Sequence, residues 1–166
     1  LKQMENDLLY LRELTVYDAD RLFEIYSNKE AMKYRETKPM YTIKDAYKML
    51  DYEKEAKKAG YEYRFAIIEK IHDNLIGTIM YQPLKKKAII GYSIDEKFWN
   101  KGFASSVVEL LLKILKLKGF EIIEAWVKKE NIGSWKVLEK NGFKMVSQTI
   151  YPSSFFFQKR IVESLF

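Results

Sequence analysis

The chain has no cysteine, one histidine and three prolines in 166 residues. Without cysteine there is no disulfide framework, no thiolate nucleophile and no cysteine ligand for a metal. The lone histidine, His72, falls among turn residues and reads as a surface side chain. Long apolar runs are missing too. The greasiest stretch, Val107 to Leu117, is interrupted by Glu109, Lys113 and Lys116, so no membrane span is expected. Neither a basic n-region nor an apolar h-region opens the sequence, which sets a cytoplasmic location as the expectation. Because it begins at Leu1 and not at Met, the loss of at most a few residues is expected. Repeats, linkers and low-complexity tracts are absent.

What is present is the composition of a folded domain: 48% hydrophobic and 31% charged residues, with enough aromatics to line a pocket as well as fill a core. At this length the expectation is a single domain over residues 1–166. The net charge of +6 favours an anionic partner, such as a phosphorylated cofactor, an acidic protein or nucleic acid. No nucleic-acid motif accompanies the charge, so no nucleic-acid partner is expected. The run Lys85 to Lys87 reads as a solvated loop.

Periodicity supplies the elements. Leu8 to Leu14 alternates as a strand, and Thr15 with Asp18 forms a capping box that opens a helix to about Asn28. Thr42 with Asp45 repeats the device for a second helix, stopped at Gly60. Tyr34 to Tyr41 is a polar loop between them. Tyr63 to Glu69 and Leu75 to Tyr81 flank turn residues as a hairpin, and Ala88 to Asp95 is a third strand. Gly102 to Lys118 carries a broad apolar helical face, Glu121 to Val127 is a strand, and a short helix runs from about Ser134 to Lys140. Phe143 to Ile150 and Phe155 to Val162 close the pattern as strands. Layers of this kind bury their apolar faces best as an α/β (α+β) fold, a central mixed sheet with helices on both faces. Ala88 to Val127 then forms a right-handed parallel crossover.

The turn Trp99, Asn100, Lys101, Gly102, Phe103, Ala104, Ser105 stands at the mouth of the long helix. Unpaired N–H groups and the positive helix end suit a pyrophosphate there, with Gly102 permitting close approach and Lys101 adding charge. Beyond the next strand, the chain reads Asn131, Ile132, Gly133, Ser134, Trp135, Lys136, Val137, Leu138, Glu139, Lys140, Asn141, Gly142, Phe143. Together these two segments resemble the central motifs of the GNAT superfamily of N-acetyltransferases, in its RimJ/RimL branch, and the order of strands and helices matches that family over nearly the whole chain.

The resemblance implies a GNAT fold, a mostly antiparallel sheet with one splayed parallel strand pair. It implies acetyl-CoA or CoA as co-substrate, with pantetheine at the strand edge near Ile94, pyrophosphate at Lys101, Gly102, Phe103, Ala104 and Ser105, and Asn131 on the pantetheine arm. A backbone N–H near Ile94 would steady the carbonyl oxygen. No metal is needed. The acceptor would be a small-molecule amine or a protein N-terminus, such as that of a ribosomal protein, attacked directly in a ternary complex. Trp99 stands where relatives often carry Arg or Gln, and Leu138 stands where many carry a tyrosine acid, so Ser134 is the expected substitute. Its alternative role is a helix cap. Glu124, a charge within an apolar strand, is either a satisfied structural side chain or the base, with Tyr92, Asp95 and Glu69 behind it. Trp126 and Tyr81 are candidates for the acceptor pocket. A non-catalytic domain that binds CoA or a protein partner is the alternative reading. Phe155 to Phe157 serve the core or a homodimer interface.

Overall fold

A computed structural model of the chain describes residues 4–34, 38–146 and 154–161. Seven strands form one mixed sheet: β1 (Leu9–Glu13), β2 (Tyr63–Glu69), β3 (Asn74–Leu84), β4 (Lys87–Ile94), β5 (Ile122–Lys128), β6 (Lys144–Val146) and β7 (Ser154–Arg160). Their spatial order is β1-β2-β3-β4-β5-β7-β6. β4 and β5 run parallel and the other neighbours antiparallel. Five α-helices accompany the sheet among the described residues: α1 (Ala19–Tyr26), α2 (Lys29–Met32), α3 (Ile43–Ala59), α4 (Phe103–Leu117) and α5 (Ile132–Lys140). No helix among the described residues is long and apolar enough to cross a membrane.

Local chemistry accounts for most boundaries. Both capping boxes form: Thr15 and Asp18 close a 3-10 turn that leads into α1, and Thr42 and Asp45 open α3. Gly60 ends α3 at φ 81°, a left-handed cap that only glycine adopts without strain. The β3–β4 hairpin is longer than the sequence pattern indicated, since β3 continues through Pro83, which pairs with Ala88. Asn28 supplies a further cap, accepting from the N–H groups of Glu30 and Ala31, and so starts the short α2. Residues 35–37 of the expected loop, 147–150 of one expected strand and Val162 of the last lie outside the described residues.

Two apolar layers hold the sheet. α4 buries Val107, Val108, Leu111 and Leu115 on the face formed by Leu9, Leu11, Ile67, Ile79, Ile90, Ile123 and Ala125. Each such side chain contributes about 1.5–3 kcal/mol on burial. On the other face, Leu22, Ile25 and Tyr26 of α1 and Ala46 of α3 pack with Ala66 and Ile68. This second layer extends over β1 to β3. The inner face of α3 also carries Glu53, whose carboxylate accepts from Arg64 Nε at 2.9 Å. Arg64 lies 3.8 Å from Glu62 as well, and Gln82 donates to Glu62 at 2.9 Å. Both glutamates and the arginine are buried or nearly so.

Candidate active site

β4 and β5 pair from Lys87 with Ile122 as far as Ile90 with Ala125, yet β4 continues to Ile94 and β5 to Lys128. A gap therefore opens with Gly91 on one lip and Trp126 on the other. The Asp95 N–H donates across to Ile76 on β3 at 2.7 Å. Strand alternation then turns the N–H and C=O of Ile94 the opposite way, into the gap. Trp99 reaches back and its Nε1–H takes the Ile94 carbonyl at 2.7 Å. The Ile94 N–H is thus left as the donor facing the gap. That contact also gives Trp99 a reason of its own: it pins the turn to the strand end.

The turn itself is built for abrupt entry into α4. Asp95 accepts from the Lys97 N–H and opens a 3-10 turn, and then Asn100 and Gly102 both take left-handed conformations, φ 59° and 85°. A Cβ on Gly102 would meet nothing within 4 Å, so the space above this turn is open. Phe103, Ala104 and Ser105 form the first helical turn, whose N–H groups have no acceptor within the helix, and no acidic residue lies among them. Lys101 sits with its Nζ 5.8 Å from the Phe98 ring and joins Lys97, and Arg21 with its ion-pair partner Glu24, in lining an adjacent cleft. An anion is the ligand such a setting favours.

Across the gap, Asn131 caps α5 by accepting from the Ser134 N–H at 3.2 Å. Ser134 is therefore not the cap, and its hydroxyl is available for another partner. It meets the Tyr92 hydroxyl at 2.6 Å. Tyr92 projects from β4 toward the α4 layer, so this pair bridges β4 and α5 beside the gap. Burial pushes the Tyr92 phenol up to about 12, against the opposing hydrogen bond from Ser134. It holds its proton at neutral pH, and either hydroxyl of the pair can be the donor. Leu138 is fully buried in the core and takes no part.

Glu124 and Trp126 flank Ala125, the last residue of β5 paired with β4, and both face away from α4. Glu124 accepts from Gln158 at 3.1 Å and lies 3.8 Å from the Lys87 ammonium. Trp126, 38% exposed, rests against Phe156 with ring centroids 4.7 Å apart. Ser134 with Tyr92 and Glu124 with Trp126 consequently sit on opposite faces of the sheet where the strands part. Other candidates are engaged elsewhere. Asp95 is buried in a 2.7 Å ion pair with Arg21, and Glu69 accepts from the His72 N–H within its hairpin. Tyr81 is buried beneath α4, stacked on Tyr63, and so is core and not pocket wall. Phe157 is core, and Phe155 packs on Trp135. Phe156, expected in the core or a homodimer interface, and Gln158, which the sequence reading gave no role, lie beside Trp126 and Glu124 through the β5–β7 register.

The model of the acetyltransferase (GNAT) domain family matches residues 9–144. This chain belongs to the GNAT family. Among curated relatives, the uncharacterized N-acetyltransferase p20 of Bacillus licheniformis is 31% identical over 148 residues, covering 87% of this chain and 83% of p20. Among solved structures, RimL, a ribosomal L7/L12 α-N-protein acetyltransferase in complex with CoA, superposes with a TM-score of 0.81 at 17% identity, covering 93% of this chain and 95% of RimL. The spermidine N-acetyltransferase of Vibrio cholerae, in complex with CoA and spermine, superposes at 0.78 with 19% identity and coverages of 93% and 96%. The fold is thus that of the GNAT family, in its RimJ/RimL-type branch.

Proposed function

We propose that residues 1–166 act as one cytoplasmic domain that transfers acetyl from acetyl-CoA to a primary amine, a small molecule or a protein N-terminus, in a ternary complex. The supporting observation is the gap between β4 and β5, with the Ile94 N–H pointing into it and the open left-handed turn at Gly102 beside it. These residues fit CoA: the amides of Phe103 to Ser105 with Lys101 would take the pyrophosphate, and the β4 edge would take pantetheine. Asn131 Oδ1 is already committed to capping α5, which restricts any contact with the pantetheine arm to its amide nitrogen. When bound, acetyl-CoA supplies an activated thioester.

The chain's own groups divide the remaining work. Glu124, on the face away from α4, is positioned to accept a proton from an incoming ammonium. The Ile94 N–H offers a preorganised donor for a carbonyl oxygen gaining charge. On the opposite face, the Tyr92–Ser134 pair holds a hydroxyl proton for the departing sulfur, in the role that relatives with tyrosine at the Leu138 position assign to that side chain.

Calorimetry with acetyl-CoA and with CoA, followed by thiol release across a panel of amines, tests this reading. Gly102→Asp places a carboxylate where the anion is expected and should abolish detectable CoA binding. Gly102→Ala, strained at φ 85° and with its Cβ in the space the anion would approach, should weaken binding by less than Gly102→Asp does. Absence of wild-type binding at high micromolar acetyl-CoA overturns the proposal. Binding without thiol release for any amine leaves a non-catalytic CoA-binding domain.

A further inference from the structure

The face of β4, β5 and β7 that looks away from α4 carries a row set by the strand register. Gln82 pairs with Ile89, Ile89 with Glu124 and Glu124 with Gln158, and one step along, Trp126 pairs with Phe156. α1 and α3 pack on the sheet farther along, against Ala66 and Ile68. Trp126 and Phe156 accordingly present an aromatic shelf at the lip of the gap, with Ile89 beside it and one carboxylate, Glu124, next to the shelf.

By alternation this face carries the cations Lys87, Lys128, Lys144 and Arg160, and Glu124 is the one carboxylate that β4, β5 and β7 place on it. Glu124 already shares its field with Lys87 at 3.8 Å and takes the Gln158 amide. Toward α3, the carboxylates Glu53 and Glu62 are buried and bound to Arg64 and Gln82, roughly three strand spacings, about 15 Å, from β5. A polycation needs several accessible carboxylates, and the chain's net charge of +6 repels one at long range. A single ammonium needs only Glu124, and its apolar body is matched by the indole and phenyl rings. The shelf is a sheet face, and the β4 edge beside it is the one assigned above to pantetheine.

Resting on the acetyl-transfer reading above, we infer that the acceptor is a small monoamine with an aromatic or apolar body, its ammonium held at Glu124 and its body on the Trp126–Phe156 shelf. Trp126 and Phe156 are then specificity-determining residues.

The test uses the full chain with saturating acetyl-CoA and reads thiol release with phenethylamine, spermidine and a tetrapeptide bearing N-terminal phenylalanine. Phenethylamine should exceed both others in kcat/KM by about ten-fold, the scale of one aromatic and one cation–π contact. Trp126→Ala should raise KM for phenethylamine by a similar factor, with kcat and the acetyl-CoA Kd nearly unchanged, and Trp126→Phe should recover most of the loss. The retained Kd reports that the variant is folded, and Phe156→Leu gives an independent second variant with the same expected sign. A preference for spermidine or the tetrapeptide overturns the inference. So does an unchanged KM in Trp126→Ala, or no turnover of phenethylamine by a protein that binds acetyl-CoA. Failure of the wild type to bind acetyl-CoA removes the acetyl-transfer reading itself, a result distinct from all of these.

Discussion

Replacing Glu53 by glutamine should make the protein more stable at pH 8 and reduce its sensitivity to pH. Glu53 is 9% exposed, and Glu62 is more deeply buried. One guanidinium, Arg64, serves both. Two charged carboxylates with one arginine would leave a buried negative charge, so the pair retains one proton near neutrality. Burial first, and then the hydrogen bond to Glu62, push the Glu53 carboxyl up from its usual value of 4.5 to about 7, with Arg64 opposing. Because the folded value lies above the unfolded one, the stabilisation belongs to the protonated form. It is complete below about pH 4.5 and is lost as the pH rises through about 7. That interval corresponds to about 3 kcal/mol at most, or roughly 6–12 °C in Tm for a domain of this size.

Glutamine mimics the protonated acid, since its carbonyl can accept from Arg64 and its amide can donate to Glu62. The assay is urea denaturation of wild type and Glu53→Gln from pH 4.5 to 8.5, with the stability difference plotted against pH so that titrations common to both proteins cancel. The variant's relative stability should climb with pH and level off above about 8. A difference that stays flat across this range would refute the shared proton. The pair titrates as a unit, so Glu62→Gln should show a trend of the same sign.

Further expectations concern the gap and its supports. Tyr92→Phe should lower kcat by about a hundred-fold with little change in the acetyl-CoA Kd, and adding Ser134→Ala should cost little more, because the two hydroxyls act through one hydrogen bond. Glu124→Gln should likewise lower kcat by about a hundred-fold at pH 7.5, measured as thiol release, without loss of thermal stability beyond a few degrees. Asp95→Asn, which breaks the 2.7 Å pair with Arg21 at the end of β4, should cost about 2 kcal/mol in urea denaturation. Gly77→Ala should prevent stable folding or lower Tm sharply, because its Cβ would lie 2.1 Å from the Ser93 carbonyl oxygen across the β3–β4 ladder.

Much of the architecture was legible because local chemistry wrote it. The two Thr-x-x-Asp boxes, the glycine stop at Gly60 and the apolar stripe from Val107 to Leu115 each carry their own physical reason. The insertion of β7 between β5 and β6 was not legible, since pairing between distant segments leaves no trace in spacing. Tyr81 shows how facing is lost: a register shift between Ile67 and Ile68 interrupts regular alternation in the β2–β3 pair. At the site, Asn131 and Ser134 were both plausible caps by residue type, and backbone geometry chose Asn131, which freed Ser134 for Tyr92. Glu53 did leave a signal, since it falls on the same helical face as Ala46, Met49 and Ala56. A charge on such a stripe asks for a buried partner, and that partner, Arg64, is brought in by tertiary packing.

The Trp99 indole on the Ile94 carbonyl has a consequence for solubility. Where two strands part, a sheet gains an internal pair of raw edges, and an edge that alternates donors with acceptors is a template for another chain's strand. By occupying one acceptor from the side, Trp99 breaks that alternation at the mouth of the opening. An extended segment arriving from a neighbouring molecule finds a mismatched partner there, which disfavours strand addition at this opening.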